Sequence, residues 1–312
     1  MSNDANPPKT AVLLLAHGSP DTVDDVPEFL LRVTRGRQLP TQVIDEVKHR
    51  YALIGHSPLT ERTLQQRDLL ARTLGLPVYV GMRNWRPFIS DTVRTMAADR
   101  IERAVVICLA PQNSRTSVGL YRAALEKDVS FDTDFVDSWH DHPLLIQAFT
   151  EKLLAGRERA LREMGTDVPV IFTAHSVPQQ TITDGDPYET EAKETAALVA
   201  GEAKLASGDW TFAFQSQGMF SAGWLGPTVE DTIVALRQKG HRGVFIQPIG
   251  FLCDHVEVLY DIDIGFKQFA EKEQMRLWRA ESLNDSPRLT AALVDVARSR
   301  LRKVVSPSVA GR

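Results

Sequence analysis

Seven short apolar runs, separated by stretches long enough to be helices, constrain this chain more than any other feature. They are AVLLLA (11–16), PVYVG (77–81), RAVVICLA (103–110), FDTDFV (131–136), PVIFTA (169–174), WTFAF (210–214) and GVFIQPI (243–249). Each is rich in Val, Ile, Leu or Phe and bounded by Gly, Pro or polar residues. That is the pattern of strands buried on both faces of a parallel sheet. Parallel strands need crossovers of about a dozen residues or more, and the intervening stretches supply them. Helices are expected at about 60–74, 87–99, 117–127, 143–164, 187–204, 228–239, 255–273 and 286–303. Another starts at Asp25-Val26-Pro27, where Pro27 suits a first turn. The alternation predicts an α/β fold with right-handed crossovers and helices on both sheet faces. A chain of 312 residues is long for one core and suits two domains. The first four runs fall in residues 1–140, and the last three, with a short strand near 275–280, in 141–312. No low-complexity linker separates these halves, so they should pack closely around a cleft.

Composition narrows the class. Hydrophobic residues make up 43% and charged residues 24%, the proportions of an ordinary globular chain. A net charge of −4 lacks the basic excess that nucleic-acid binding calls for. The opening MSNDANPPKT has no basic n-region, and the run at 11–16 is too short for a signal peptide. No apolar stretch approaches the roughly 18 residues of a spanning helix. A cytoplasmic protein is expected. The only cysteines are Cys108 and Cys253. They cannot hold an iron–sulfur cluster alone, since a cluster takes about four thiolates. Both read as small buried hydrophobes.

In open α/β sheets the ligand sits beyond the carboxyl ends of the strands. Those ends here carry AHGSP (16–20), GMRNWRPF (81–88), APQNSRTSVGLY (110–121), AHSVP (174–178), QSQGMFSAGWLGP (215–227) and PIGFLCDHVE (248–257). His175 would face the cleft, where neutral imidazole is both a ligand for borderline metals and a base near pH 7. A histidine that merely structures the turn is the alternative. Asp254, Glu257 and Asp261 are spaced by three and four, so a helix would carry them on one face with His255 beside them. Carboxylates crowded in this way gain from a cation, and oxygen with imidazole suits a divalent metal. A solvated acidic face is the alternative. His17, directly after the first run, would bring a second imidazole. Met219, Phe220, Trp224 and Leu225 crowd large apolar groups into a Gly-rich loop, as a ligand or a core would require. Arg35, Arg37, Arg50, Arg83 and Arg86 either pair with ligand carboxylates or are surface charges.

There is no G-x-G-x-x-G after a strand, no Walker A sequence and no G-x-S-x-G. Nucleotide-dependent chemistry and serine hydrolysis both lack their loop.

FTAHSVP (172–178), GDPY (185–188), QSQG…WLGP (215–227) and DHVEVLYDID (254–263) together resemble ferrochelatases. AHGSP, RGR (35–37), RY (50–51) with SPL (57–59), and RAESLN (279–284) occur in the family's order, so the resemblance spans roughly 11–304. It implies two Rossmann-like, chelatase-like domains with the active cleft between them. It implies a lyase that inserts Fe²⁺ into a porphyrin during haem synthesis. By the same matching, His175 and Glu257 flank the metal and handle the pyrrole protons. His17, Arg50, Tyr51, Ser57 and Tyr121 contact the porphyrin or its propionates. Asp254, His255 and Asp261 form a polar path for protons or metal. The implied enzyme keeps no bound cofactor and no iron–sulfur cluster; Fe²⁺ is a substrate. It is a monomer that meets its porphyrin, its Fe²⁺ and a haem-pathway partner protein, with no nucleic acid and no transmembrane segment.

The chain departs from the family pattern at named positions. His17 stands where many soluble bacterial relatives carry Tyr. The usual I-G-G-x-S-P is shortened to IGHSP (54–58). Thr34 stands where an arginine is expected, with Arg35 beside it, and Gly265 stands where an acidic residue is common. AHGS also resembles class II chelatases acting on sirohydrochlorin or its relatives, where that His binds metal. The compact N-terminal region, the ten-residue QSQGMFSAGW spacing and the lack of cluster cysteines resemble coproporphyrin-using enzymes. RAESLN resembles protoporphyrin-using ones. The expected substrate is coproporphyrin III, giving iron-coproporphyrin. Protoporphyrin IX, a cobalt or nickel chelatase, and a non-catalytic tetrapyrrole carrier are the alternatives.

Overall fold

The computed structural model describes residues 8–217 and 223–302. Among them, eight strands build two parallel four-stranded sheets. The first contains β1 (Thr10–Ala16), β2 (Val78–Met82), β3 (Arg103–Cys108) and β4 (Asp132–Val136) in the order 2-1-3-4. The second contains β5 (Val170–His175), β6 (Trp210–Gln215), β7 (Gly243–Pro248) and β8 (Arg276–Arg279) in the order 6-5-7-8. Every apolar run became a strand, and the short strand expected near 275–280 is β8.

The burial of β1 shows why these runs are strands. Ala11 through Ala16 are all buried, in register with β2 at Leu13–Tyr79 and with β3 at Leu13–Val106. Successive side chains of a strand point to opposite faces. Val12, Leu14 and Ala16 accordingly enter one core, and Ala11, Leu13 and Leu15 another. The first of these cores also takes Val170, Phe172 and Ala174 of β5, so a single apolar body joins the two halves. Truncating Leu14 to Ala would cost about 2–5 kcal/mol.

Twelve α-helices accompany the strands among the described residues. In the N-terminal half they are α1 (Val26–Val33), α2 (Thr41–Ile54), α3 (Leu59–Leu74), α4 (Ile89–Ala98) and α5 (Val118–Glu126). Then follow α6 (Pro143–Met164), α7 (Gln179–Thr183), α8 (Tyr188–Glu202) and α9 (Val229–Gln238). The last are α10 (Val256–Leu259), α11 (Lys267–Lys272) and α12 (Pro287–Arg302). The longest, α6, has clear local causes. The His142 ring accepts the Leu144 N–H, Pro143 occupies the first turn, and Gly165 stops the helix at φ 77°. Helix α12 returns from the C-terminal half to pack on α6, α3 and β3.

Two helices were not expected from the sequence, α2 and α7. In α2 only Tyr51 is buried, so it carries no apolar stripe to read. The continuous helix expected at 255–273 is instead three pieces. Residue 255 is extended (φ −163°, ψ −177°), so α10 starts only at Val256. The Gly265 N–H then reaches back five residues to the Tyr260 carbonyl, opening a π-type turn over Asp261–Phe266 before α11.

Candidate active site

Both sheets place their first strand beside their third, so strand order reverses at β1/β3 and again at β5/β7. Ligand crevices open at the carboxyl ends of such strand pairs. The two crevices face each other and form one cleft. His17 enters it after β1 and Leu109, Ala110 and Gln112 after β3. His175 enters at the end of β5, and Gly250 through Cys253, His255 and Glu257 after β7. Glycine is required at one of these turns, and a side chain at a second would crowd its neighbour. Gly18 has φ 88°, and a Cβ there would lie 2.8 Å from the Trp85 nitrogen. A Cβ on Gly250 would sit 3.2 Å from that of Ala174.

Across the cleft, His175 Nε2 and Glu257 Oε2 are 3.6 Å apart. The His175 Nδ1 lies 2.5 Å from the Ser176 carbonyl oxygen. A carbonyl only accepts, so Nδ1 carries a proton and Nε2 is the ring nitrogen turned toward Glu257. The same device recurs twice: His17 Nδ1 donates to Gly18 O at 2.9 Å and His255 Nδ1 to Cys253 O at 3.2 Å. Three imidazoles in one cleft are thus each anchored through Nδ1 on a backbone carbonyl. Desolvation by the cleft walls lowers both His17 and His255 to about 4. The His17 ring still opens into the cleft, and both rings are neutral at pH 7. His255 also packs on Phe251, with ring centroids 4.6 Å apart.

Glu257 Oε2 is buried and has no hydrogen-bond donor among the described residues. Burial raises its carboxyl above the usual range; His175 opposes the rise and Asp261 adds to it. Among the described residues no three His, Cys, Asp or Glu side chains converge to hold a metal ion. His175 and Glu257 therefore form a pair rather than a cage.

The other expected site residues divide. Tyr121 lines the cleft, and burial pushes its hydroxyl pKa up. Arg50, Tyr51 and Ser57 do not line it. Arg50 bonds Glu46 at 3.0 Å, lies 3.7 Å from Asp261 and covers the Tyr260 ring. Tyr51 is buried with its hydroxyl 3.2 Å from Ser19 Oγ. Ser57 Oγ is buried without a partner among the described residues. The expectation that one helical face carries Asp254, Glu257 and Asp261 is corrected at Asp254, which precedes α10. Its carboxylate accepts Ser282 Oγ at 2.7 Å and Asn284 Nδ2 at 2.9 Å, and Arg279 lies at 3.6 Å. Asp261 is bonded by Ser216 Oγ, and burial raises its carboxyl. The apolar residues Met219 and Phe220 lie outside the described residues.

Sequence reasoning missed Gln66, Gln112 and Tyr188, all of which line the cleft. A signal existed for Gln66. The buried positions of α3 are Thr63, Gln66 and Leu70, so an amide sits in a stripe that is normally apolar. Its Oε1 has no partner among the described residues. Arg32, Arg35 and Arg83 line a separate shallow hollow together with Glu28, which pairs with Arg32 at 2.9 Å.

Comparison with known proteins places this site in a family. The family model described as ferrochelatase matches residues 9–301. A ferrochelatase of Acidobacterium capsulatum is 54% identical, covering 95% of this chain and 96% of that protein. One from Deinococcus radiodurans is 36% identical, covering 97% and 100%. A coproporphyrin III ferrochelatase of Geobacillus thermodenitrificans is 34% identical, covering 94% and 96%. Among solved structures, the sirohydrochlorin chelatase SirB of Bacillus subtilis subspecies spizizenii, in complex with cobalt, superposes with a TM-score of 0.57. It covers 95% of this chain and 96% of its own at 10% identity, a likeness of fold. The fold, the site and these relatives agree: the chain belongs to the ferrochelatase family, lyases that insert a metal ion into a porphyrin in haem synthesis.

Proposed function

We propose that this chain inserts Fe²⁺ into coproporphyrin III, with His175 and Glu257 at the metal. One observation carries the reading: an imidazole nitrogen and a buried carboxylate oxygen without a donor lie 3.6 Å apart across a cleft between two sheets. Insertion exchanges two pyrrole N–H protons for one metal ion. His175 Nε2, its lone pair freed by the Nδ1 hydrogen bond, accepts one proton. Glu257 accepts the second, and its raised pKa makes it a better base than an exposed glutamate. As nitrogen and oxygen ligands, the two also replace water around the incoming Fe²⁺. His17 faces the macrocycle from the N-terminal sheet, Tyr121 packs against it, and His255 and Asp261 continue the polar surface beyond Glu257. Asp254 belongs to the frame of that surface.

Coproporphyrin III carries four propionates. Arg35 and Arg83 of the shallow hollow support an acid-rich macrocycle, as does likeness to relatives named for coproporphyrin III. The test is anaerobic turnover with Fe²⁺, coproporphyrin III against protoporphyrin IX, followed by absorption. A higher kcat/KM for coproporphyrin III is expected. Preference for protoporphyrin IX would reverse the substrate, and tight porphyrin binding without insertion would leave a carrier.

A further inference from the structure

The two halves meet along a seam that the function above does not use. Four consecutive residues after β3 are bonded in turn to α8 and the residues just before it. Gln112 Nε2 donates to Thr195 Oγ1 at 3.1 Å, and the Asn113 N–H to Glu191 at 2.6 Å. Ser114 Oγ and the Arg115 N–H both donate to Asp186 Oδ2, at 3.2 and 2.7 Å. The Arg115 guanidinium adds the Thr181 carbonyl at 3.1 Å and Asp184 at 2.6 Å. The next two residues of the loop, Thr116 and Ser117, line the cleft.

Asp186 uses its other oxygen, Oδ1, to accept the Tyr188 N–H at 3.0 Å. Tyr188 is 8% exposed, and its hydroxyl donates to the His175 backbone carbonyl at 3.0 Å. The next carbonyl along, that of Ser176, is the one that receives the His175 Nδ1 proton. One carboxylate therefore grips the N-terminal wall of the cleft and the turn that carries Tyr188, and Tyr188 grips His175.

We propose that Asp186 is a positioning residue. It fixes the wall at 116–117 relative to His175, and through Tyr188 it fixes the aim and tautomer of the His175 ring. The inference rests on the reading of His175 given above. Both oxygens are engaged by N–H or O–H donors, so asparagine cannot substitute: it offers one acceptor and turns an NH₂ against a donor. A displacement of about 1 Å at a reacting group costs on the order of 10²-fold in rate, so a loosened seam should lower kcat rather than porphyrin affinity.

The experiment compares Asp186→Asn, Tyr188→Phe and the double variant. Turnover is measured anaerobically with Fe²⁺ and coproporphyrin III. Histidine-ring ¹⁵N NMR is recorded on the same samples, with His175 assigned by its loss in His175→Ala. Each single variant should lower kcat about ten-fold or more with KM changed less than about three-fold. The double variant should be no slower than the slower single, because the two act in one chain of contacts. His175 should show one tautomer in wild type and an exchanging mixture in both singles. Multiplicative losses in the double variant, or unchanged turnover and tautomer in Asp186→Asn, would overturn the proposal. If Asp186→Asn does not fold, Ser114→Ala removes one donor from the far side of the seam. It should lower kcat and broaden the His175 signal, and no change there sinks the idea. A wild-type protein that inserts no iron counts against the reading of the site. The tautomer signal then decides the seam alone.

Discussion

Asp254 and Glu257 stand three residues apart on one segment, and their surroundings are opposite. Asp254 is saturated: a serine, an asparagine and an arginine all face its oxygens. Glu257 is left short: one oxygen is buried with no hydrogen-bond donor among the described residues, and its nearest charged-group partner is the His175 imidazole at 3.6 Å. A saturated carboxylate holds structure, because its proton affinity and geometry are already committed. A carboxylate deprived of donors has free lone pairs for a proton or a metal. The difference arises from the backbone. Extended geometry at His255 turns Asp254 toward the β8–α12 loop, and α10 turns Glu257 into the cleft.

The largest effect expected on this contrast comes from its partner across the cleft. His175→Ala should reduce insertion by about 10²–10⁴-fold, as loss of a positioned base does, while porphyrin binding measured by fluorescence quenching stays largely intact. Glu257→Gln follows, with a loss of about 10²-fold or more in kcat. It also carries a stability signature. Burial raises the Glu257 pKa, so folding favours the neutral form. That contribution is complete below the ordinary glutamate value of 4.5 and is lost as pH rises through the folded value. Glu257→Gln should therefore melt above wild type at alkaline pH, with the gap closing as the pH falls to 4.5. Thermal melts across pH check this, and a lower melting temperature at alkaline pH would count against it.

Asp254→Asn should behave in reverse. Disturbing its bonds to Ser282, Asn284 and Arg279 should cost about 1–3 kcal/mol in denaturant unfolding, with kcat at saturation within a few-fold of wild type. The smallest effect is expected from His255→Gln. The His255 pKa is lowered from 6.5 to about 4, so its contribution to stability is present above 6.5 and is lost as pH falls toward 4. The variant should lose less stability than wild type between those values, read again by melts. Equal acid sensitivity would show that His255 is not buried as a neutral ring.

The strands were legible because a doubly buried parallel strand must be apolar throughout, as Ala11–Ala16 and Val170–Ala174 are. Helix α6 was legible because its cap, first-turn proline and terminal glycine are all local. At the site, His175 and Glu257 could be paired through motifs that resemble one family. What could not be read depends on contacts distant in sequence. The late start of α10 follows from Asn284, whose side chain accepts the Asp254 N–H at 2.9 Å and whose own N–H reaches the Leu252 carbonyl at 2.8 Å. No periodicity within 255–273 records those bonds. Arg50 lies 3.7 Å from Asp261 of the other half, a pairing across more than two hundred residues that no local pattern records. Tyr188 stood in the quoted GDPY motif, yet only the fold brings its hydroxyl to the His175 carbonyl.

The most direct test of the central claim is anaerobic single-turnover iron insertion by Glu257→Gln and Asp254→Asn, assayed beside wild type with saturating coproporphyrin III. The account predicts a fall of about 10²-fold or more in the first and a rate within a few-fold of wild type in the second. Normal insertion by Glu257→Gln, or collapse confined to Asp254→Asn, would contradict it.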